Sequence, residues 1–228
     1  LLELFRLEAA TGQQWPDELV PDIRKLGFRE FSYALRYMTI TKYVRYITGQ
    51  GGSRAQNRYD DYLKMKAAAG YDMTDSITLF PKDLDEAHAR ITLEINEKKN
   101  EERMKEKNEK FPEIAMNYQS LCKKYEYKKD GYIIRPANSA AEIIREGTAL
   151  HHCVGASDTY MSQHAKGTSY ILVLRKLSAP DVPYCTVEIS RNRIRQWYQA
   201  YDKKPDAKDI QPWLDKYLST AKLKALAG

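Results

Sequence analysis

Three of the four histidines in this chain fall between positions 147 and 170, as His151, His152 and His164, and Cys153 adjoins two of them. Imidazole and thiol side chains titrate near neutral pH, ligate metals and attack electrophiles more readily than any others. Scarce reactive residues gathered between two glycine-marked breaks point to a site rather than a packing element. A cysteine nucleophile is one chemistry that fits. It needs a base within hydrogen-bond reach, and a sequence neighbour such as His152 diverges from Cys153 by about 100° on a helix. His164, folding back from the next element, is the better-placed base. Zinc is a second option, with His151 or His152 and Cys153 joined by His164 and Cys185. No cysteine pair has CxxC spacing, and no metal is assigned. The third reading is structural: Cys153 and Val154 pack inward while one histidine bonds a carbonyl. For Cys153 taken alone this reading is preferred.

Glu188 adds a carboxylate downstream. The order His151 or His152, then Tyr170, then Glu188 is similar to that of ADP-ribosyltransferases, where the Glu polarises a ribose hydroxyl. The catalytic candidates are therefore His151, His152, Cys153 and Glu188. The strand pattern around Glu188 yields a different, binding argument. With Arg191-Asn192 as a two-residue hairpin loop, Ile189 faces Ile194, Glu188 faces Arg195 and Thr186 faces Trp197. Alternation then puts Cys185, Val187 and Ile189 on one face. The other collects Tyr184, Thr186, Glu188, Arg193, Arg195, Trp197 and Tyr201. Cationic and aromatic side chains on an open sheet face suit base stacking and phosphate contact. The alternative is a solvated face with a Glu188–Arg195 cross-strand pair.

The elements that must position these residues begin with helices over 1–48, where Phe28, Phe31, Leu35, Met38 and Ile40 keep helical spacing after Gly27. Tyr33, Tyr37, Tyr43 and Tyr46 form an aromatic stripe that reads as core, with nucleic-acid contact through Arg36, Lys42 and Arg45 as the alternative. A helix from Asp60 ends at Gly70, and a long charged helix follows from about 82 to 110. Its Glu94/Lys98, Glu101/Lys105 and Glu106/Lys110 pairs and thinning apolar content predict a solvated arm in its second half. A further helix follows Pro112. From Gly131 the character changes. A strand at 132–135 precedes a capping box at Ser139 and Glu142, whose helix stops at Gly147, and a short helix spans 157–166. Strands at 169–175, 184–190 and 193–201 follow, then a helix from Asp209 carrying Trp213, Leu214, Tyr217, Leu218 and Leu223.

The fold class is α+β: a helical N-terminal half, then a small antiparallel β-meander covered by helices. Its divisions are 1–58, a helical segment of a longer chain, 59–130, a helical region with the charged helix, and 131–228, the α+β domain. The chain opens on Leu1 without an initiator Met, which reads as a piece of a longer protein. At 43% hydrophobic and 30% charged residues the composition is that of a folded domain, not a disordered chain. No apolar run of about 18 residues and no signal-peptide pattern is present, so no membrane partner is expected. Three dispersed cysteines, an odd number, indicate a reducing, cytoplasmic setting. Of the net charge of +6, residues 150–228 hold +5, with 12 Lys+Arg against 7 Asp+Glu. That balance is compatible with a nucleic acid or nucleotide partner.

Several short runs together identify a resemblance. Asp61-Tyr62-Leu63, Gly70-Tyr71-Asp72, Leu79-Phe80-Pro81-Lys82-Asp83-Leu84 and Ala87-His88 lead to Leu150-His151-His152-Cys153-Val154-Gly155 and Tyr160. With Ile171-Leu172-Val173-Leu174-Arg175, Thr186-Val187-Glu188-Ile189 and Gln196, they resemble PcfJ-like proteins over roughly 60–210. The resemblance implies conjugative plasmids, phages and other mobile elements of bacteria as the setting, and other proteins of those elements as partners. It implies no reaction and no cofactor. Tyr160 and Gln196 enter the candidate binding set with Tyr170, Arg193, Arg195, Trp197 and Tyr201. The family pattern Gln-x-x-Gly-x-x-Asn-x-x-Pro reads here with Gln199 for the Gly and Asp202 for the Asn, which predicts an altered loop. The expected function is an accessory domain binding nucleic acid or a nucleotide. The alternatives are a transferase or hydrolase using the His-His-Cys stretch and Glu188, and a scaffold in conjugation or replication.

Overall fold

Gly70 and Pro112 set the first boundaries. The structure is a computed structural model that describes residues 8–9, 12, 16–26 and 33–220. Leu1, Gly27, Phe28, Phe31 and Leu223, used above, lie outside the described residues. The chain forms two compact units, Leu1–Asn100 and Glu101–Gly228.

In the first unit, helices α1 (Val20–Leu26), α2 (Ile40–Gly49), α3 (Gln56–Ala68), the single turn α4 (Ser76–Leu79) and the start of α5 (Leu84–Lys110) surround one core. Of the aromatic stripe, Tyr43 is buried in it, and Tyr33, Tyr37 and Tyr46 pack half-buried against it, so the stripe belongs to the core. Helix α3 stops where Gly70, at φ +81°, takes the left-handed position and the Tyr71 amide bonds back to the Lys66 carbonyl. Asp75 caps α4 through the amides of Ile77 and Thr78.

The second unit contains the sheet, and begins about thirty residues before the expected start of the α+β domain at 131. Five strands, β1 (Tyr127–Lys129), β2 (Tyr132–Pro136), β3 (Tyr170–Lys176), β4 (Cys185–Ser190) and β5 (Arg193–Tyr198), form an antiparallel meander in sequence order. The sequence signals a strand at β2 but not at β1. Asp130 and Gly131, at φ +50° and +81°, make the tight loop that joins them. Helices α6 (Pro112–Tyr125) and α9 (Ala207–Leu218) cover one sheet face, where Leu121, Tyr125, Trp213, Leu214 and Tyr217 pack on Leu172, Leu174, Cys185 and Val187. Helix α9 starts two residues before Asp209, so Pro212 lies inside it and removes one backbone hydrogen bond. On the other face, Ile143, Ile144 and Met161 of α7 (Ala140–Leu150) and α8 (Asp158–Lys166) pack around Ile171.

Helix α7 starts as its capping box predicts, with the Glu142 amide donating to Ser139 Oγ at 3.1 Å. It runs past Gly147 for three residues, contrary to expectation. The reason is packing. A Cβ on Gly147 would lie 2.7 Å from the Gly155 nitrogen, so this glycine admits a neighbouring backbone rather than ending the helix. The second half of α5 is mostly exposed, as expected, but it is docked along one side rather than free. Arg103 donates to the Gly155 carbonyl at 2.6 Å, Lys110 pairs with Asp158 at 2.6 Å, and Met104 packs on the α7–α8 cluster. Glu94 accepts from Tyr71 at 2.7 Å, which none of the expected i,i+4 pairs anticipates.

Candidate functional site

The His-His-Cys-Val-Gly run is the turn between α7 and α8. His151 ends α7 in the left-handed region at φ +54°, and the His152 amide bonds back to the Gly147 carbonyl at 2.8 Å. The chain then makes one 3-10 turn, Cys153–Gly155. A Cβ on Gly155 would lie 2.7 Å from Ile144 Cα, so only glycine lets this turn lie directly on α7.

That turn points the two histidines apart. His151 stacks its ring on Tyr201 at 4.3 Å and 9°, on the exposed surface. The His152 side chain is 4% exposed, with Nε2 2.5 Å from the Gln199 carbonyl oxygen and 3.8 Å from Asp202 Oδ1. A carbonyl only accepts, so Nε2 carries the proton and Nδ1 of the neutral ring is the acceptor. This is the histidine-to-carbonyl bond of the structural reading. The exposed Cys153 does not pack inward as that reading expects. Its Sγ lies 4.0 Å from Tyr160 Oη, and it is Val154 that is buried.

Strand β4 supplies the carboxylate. Glu188 is 4% exposed, yet Oε1 accepts from Ser169 Oγ at 2.7 Å and Arg195 Nη1 at 2.8 Å, while Oε2 accepts from Gln196 Nε2 at 2.7 Å. Gln196 Nε2 also approaches Tyr160 Oη at 3.5 Å. Behind this layer sits a buried ion pair, Glu146 to Arg175 at 3.0 and 2.5 Å, to which Thr186 donates at 3.2 Å. Burial pushes the Glu146 carboxyl up, and the Arg175 and Thr186 bonds pull against it. Together His152, Cys153, Tyr160, Glu188, Gln196 and Tyr198 line a cleft of about 290 Å³, with Val154, Ile171, Thr186 and Asp202 completing its wall.

The register of β4 and β5 corrects the binding face inferred above. Ile189 does face Ile194, but a β-bulge follows, and Glu188 faces Gln196, Val187 faces Trp197 and Thr186 faces Tyr198. Arg195 is the extra residue. Beyond it every side chain changes face. Trp197 is therefore 3% exposed in the α9-side core, its Nε1 bonded to Gln211 at 2.8 Å, and is no stacking platform. Gln196 and Tyr198 move to the cleft face instead. The anticipated Glu188–Arg195 ion pair is present, made diagonally across the bulge. Arg193 stays exposed beside the hairpin loop, outside the cleft wall. Tyr201 lies beyond β5, in a 3-10 turn at Ala200–Asp202, at φ +59°.

Two other arrangements are not assembled. Tyr170 faces Ile189, with its ring on Tyr125 at 5.3 Å and against the His164 edge at 5.4 Å. Its register puts it on the sheet face opposite Glu188, so the His–Tyr–Glu order does not converge. His164 is buried with Nδ1 accepting the Ile171 amide at 3.2 Å, so the expected base for Cys153 holds a strand instead. Burial pushes its pKa down to about 4. Cys185 lies on the α9-side face, and burial pushes its thiol up. Among the described residues, no three or more His, Cys, Asp or Glu side chains are placed to hold a metal ion.

Tyr198 and Asp202 are wall residues that alternation missed. A signal existed: Ile194 and Trp197, both apolar, stand three apart, an odd spacing that a regular strand cannot send to one face. The Gln199 departure is accommodated. Its amide donates to Asp206 Oδ2 at 2.9 Å and accepts the Asp206 amide at 3.0 Å, which closes the loop that presents its carbonyl to His152. Asp202 sits at φ +55°, a conformation that Asn and Asp tolerate better than most residues.

Fold and site define a class, an α+β domain whose meander carries a cleft beside a His-His-Cys-Val-Gly turn. The chain belongs to the PcfJ-like protein family, whose profile matches residues 58–211. A relative from Listeria innocua serovar 6a, described as uncharacterized protein Lin1253/Lin1744, is 26% identical over 222 aligned residues, covering 87% of this chain and 47% of the relative. The chain thus spans about half the length of that relative. No solved structure matches. Among the described residues, no helix is long and apolar enough to cross a membrane.

Proposed function

We propose that the second unit binds a nucleotide, or one unit of a nucleic-acid strand, by taking its base into the cleft, as an accessory domain of a mobile-element protein. What carries this reading is the pairing of Gln196 with Glu188 at 2.7 Å beside Tyr160 and Tyr198. Glu188 holds Gln196 by one N–H, so the amide has a fixed orientation and its Oε1 is a positioned acceptor. Glu188 Oε2 accepts one protein bond and keeps a lone pair. A base edge presents complementary donors and acceptors, and two tyrosines in the wall supply apolar ring surface. At about 290 Å³ the cleft is at the small end of ligand sites, which run from about 300 Å³ upward. That volume suits a base or nucleoside, and it leaves the phosphates outside, where Arg195, with its side chain 56% exposed, stands at the rim.

The test is calorimetric titration of the chain with the four common nucleoside monophosphates and with short oligothymidylate. Gln196→Ala is expected to weaken the preferred ligand about tenfold, the worth of one hydrogen bond of about 1–1.5 kcal/mol. Absence of binding by every nucleotide and oligonucleotide at low salt refutes the reading.

An enzyme of transferase or hydrolase type is the second reading, and the observation favouring it is His152. With Nε2–H held by the Gln199 carbonyl, Nδ1 is a base in the same wall as Glu188 and Cys153. Turnover of a bound nucleotide that His152→Asn abolishes and Cys153→Ser preserves would favour it.

A further inference from the structure

We propose that the first unit carries a separate ligand site, in which Lys66 and Arg90 bind the terminal phosphate group of a small phosphorylated molecule. The site is a cleft of about 370 Å³ lined by Tyr62, Lys66, Tyr71, Lys82 and Arg90, with Asp83 and Glu86 on its α5 side. Lys66 is 9% exposed, and its Nζ lies 3.3 Å from the centre of the Tyr71 ring and 6.0 Å from that of Tyr62. The Lys66 stem is covered while its ammonium opens on the cleft, and because an aromatic face does not provide lone pairs, its N–H donors remain available to a ligand. Burial pushes its pKa down, and Arg90 close by pushes in the same direction.

Several polar groups of the wall are already engaged. Tyr71 donates to Glu94 at 2.7 Å, Tyr62 to the Thr78 carbonyl at 2.8 Å, and Asp83 accepts the Glu86 amide at 3.0 Å. Basic side chains outside the wall have partners: Arg58 holds Asp85, Lys64 holds Asp60, and His88 Nε2 bonds to Asp61. Among the described residues, Lys66 and Arg90 make no such ion pair or hydrogen bond. Glu94, through space, offsets part of the charge on Lys66. Two cations held together at one cleft, without a bonded carboxylate, are the arrangement a multivalent oxyanion completes. Phosphate needs several donors around one group, and the ammonium and guanidinium supply them. The cleft is larger than a phosphate ion, so the rest of the ligand has room beside Tyr62. Both cations lie within the span that the family profile matches, residues 58–211.

Titration of the full chain with inorganic pyrophosphate, at fixed low ionic strength, tests the site. Arg90→Gln, at an exposed position, and Lys66→Met, which keeps the apolar stem, are each expected to weaken pyrophosphate binding about ten- to hundredfold. Circular dichroism melting confirms that both variants fold; if Lys66→Met does not, Arg90→Gln decides alone. Pyrophosphate binding that Arg90→Gln leaves unchanged, or no binding at all, overturns the proposal. Oligothymidylate separates the two sources of phosphate. If it binds with Lys66 and Arg90 dependence while pyrophosphate does not, the ligand is a nucleic-acid backbone and the small-molecule assignment falls.

Discussion

His164 illustrates how a reactive side chain becomes a structural one. Its Nδ1 accepts the Ile171 amide, so Nε2 carries the proton, and that atom is buried without a hydrogen-bond partner. Protonating the ring would place a charge in the core and break the bond to β3. Its folded pKa, about 4, is below the ordinary value of about 6.5. Between these values the unfolded chain takes up a proton that the native chain does not. Stability conferred by the neutral ring is therefore full above about pH 6.5 and falls as pH drops toward 4, by up to about 1.4 kcal/mol per unit. Urea unfolding at pH 6.5 and 5 is expected to show a loss of about 1–2 kcal/mol in the wild type and a much smaller one in His164→Gln. Equal losses in both would mean that another group titrates.

At the scale of elements, the bulge at Arg195 decides what β5 offers to each side. A regular hairpin would expose Trp197 and bury Gln196. One added residue exchanges them, which gives the α9-side core its indole and the cleft its amide. Trp197→Ala is therefore expected to lower stability by about 3–5 kcal/mol, the usual cost of removing a large buried aromatic. Denaturant unfolding measures this. Because Trp197 is not in the cleft wall, nucleotide affinity measured on the folded fraction is expected to stay within about twofold of the wild type, whereas a stacking Trp would cost about 1–3 kcal/mol of binding.

The whole molecule carries one core of helices and, separately, cores on both faces of a sheet. Two compact units with their own cores predict partly independent opening. Leu63→Ala, at a fully buried position of α3, is expected to cost about 2–5 kcal/mol. Native-state hydrogen exchange should show faster exchange across α3 and unchanged protection in β3 and β4. Equal acceleration in both would make the chain a single cooperative unit.

Periodicity, caps and glycines made the elements legible in the sequence. The capping box at Ser139, the stop at Gly70, the Arg191-Asn192 hairpin and the antiparallel meander all follow from local rules that act within a few residues. The cluster at His151, His152 and Cys153 was legible as a concentration of reactive types, and Glu188 and Gln196 as residues of adjacent strands. Which of them face one another depends on contacts remote in sequence. Gly147 and Gly155, eight residues apart, touch across α7, and that contact sends His152 toward Gln199 and His151 toward Tyr201. Likewise the single extra residue in β5 is stabilised by what lies on both sheet faces, apolar Trp197 on one and Gln196 beside Glu188 on the other. Local propensity is blind to such choices, because a one-residue shift leaves every local preference satisfied while exchanging inside for outside. The sequence by itself determined the elements and the reactive residues; the tertiary packing decided which of those residues share a cleft.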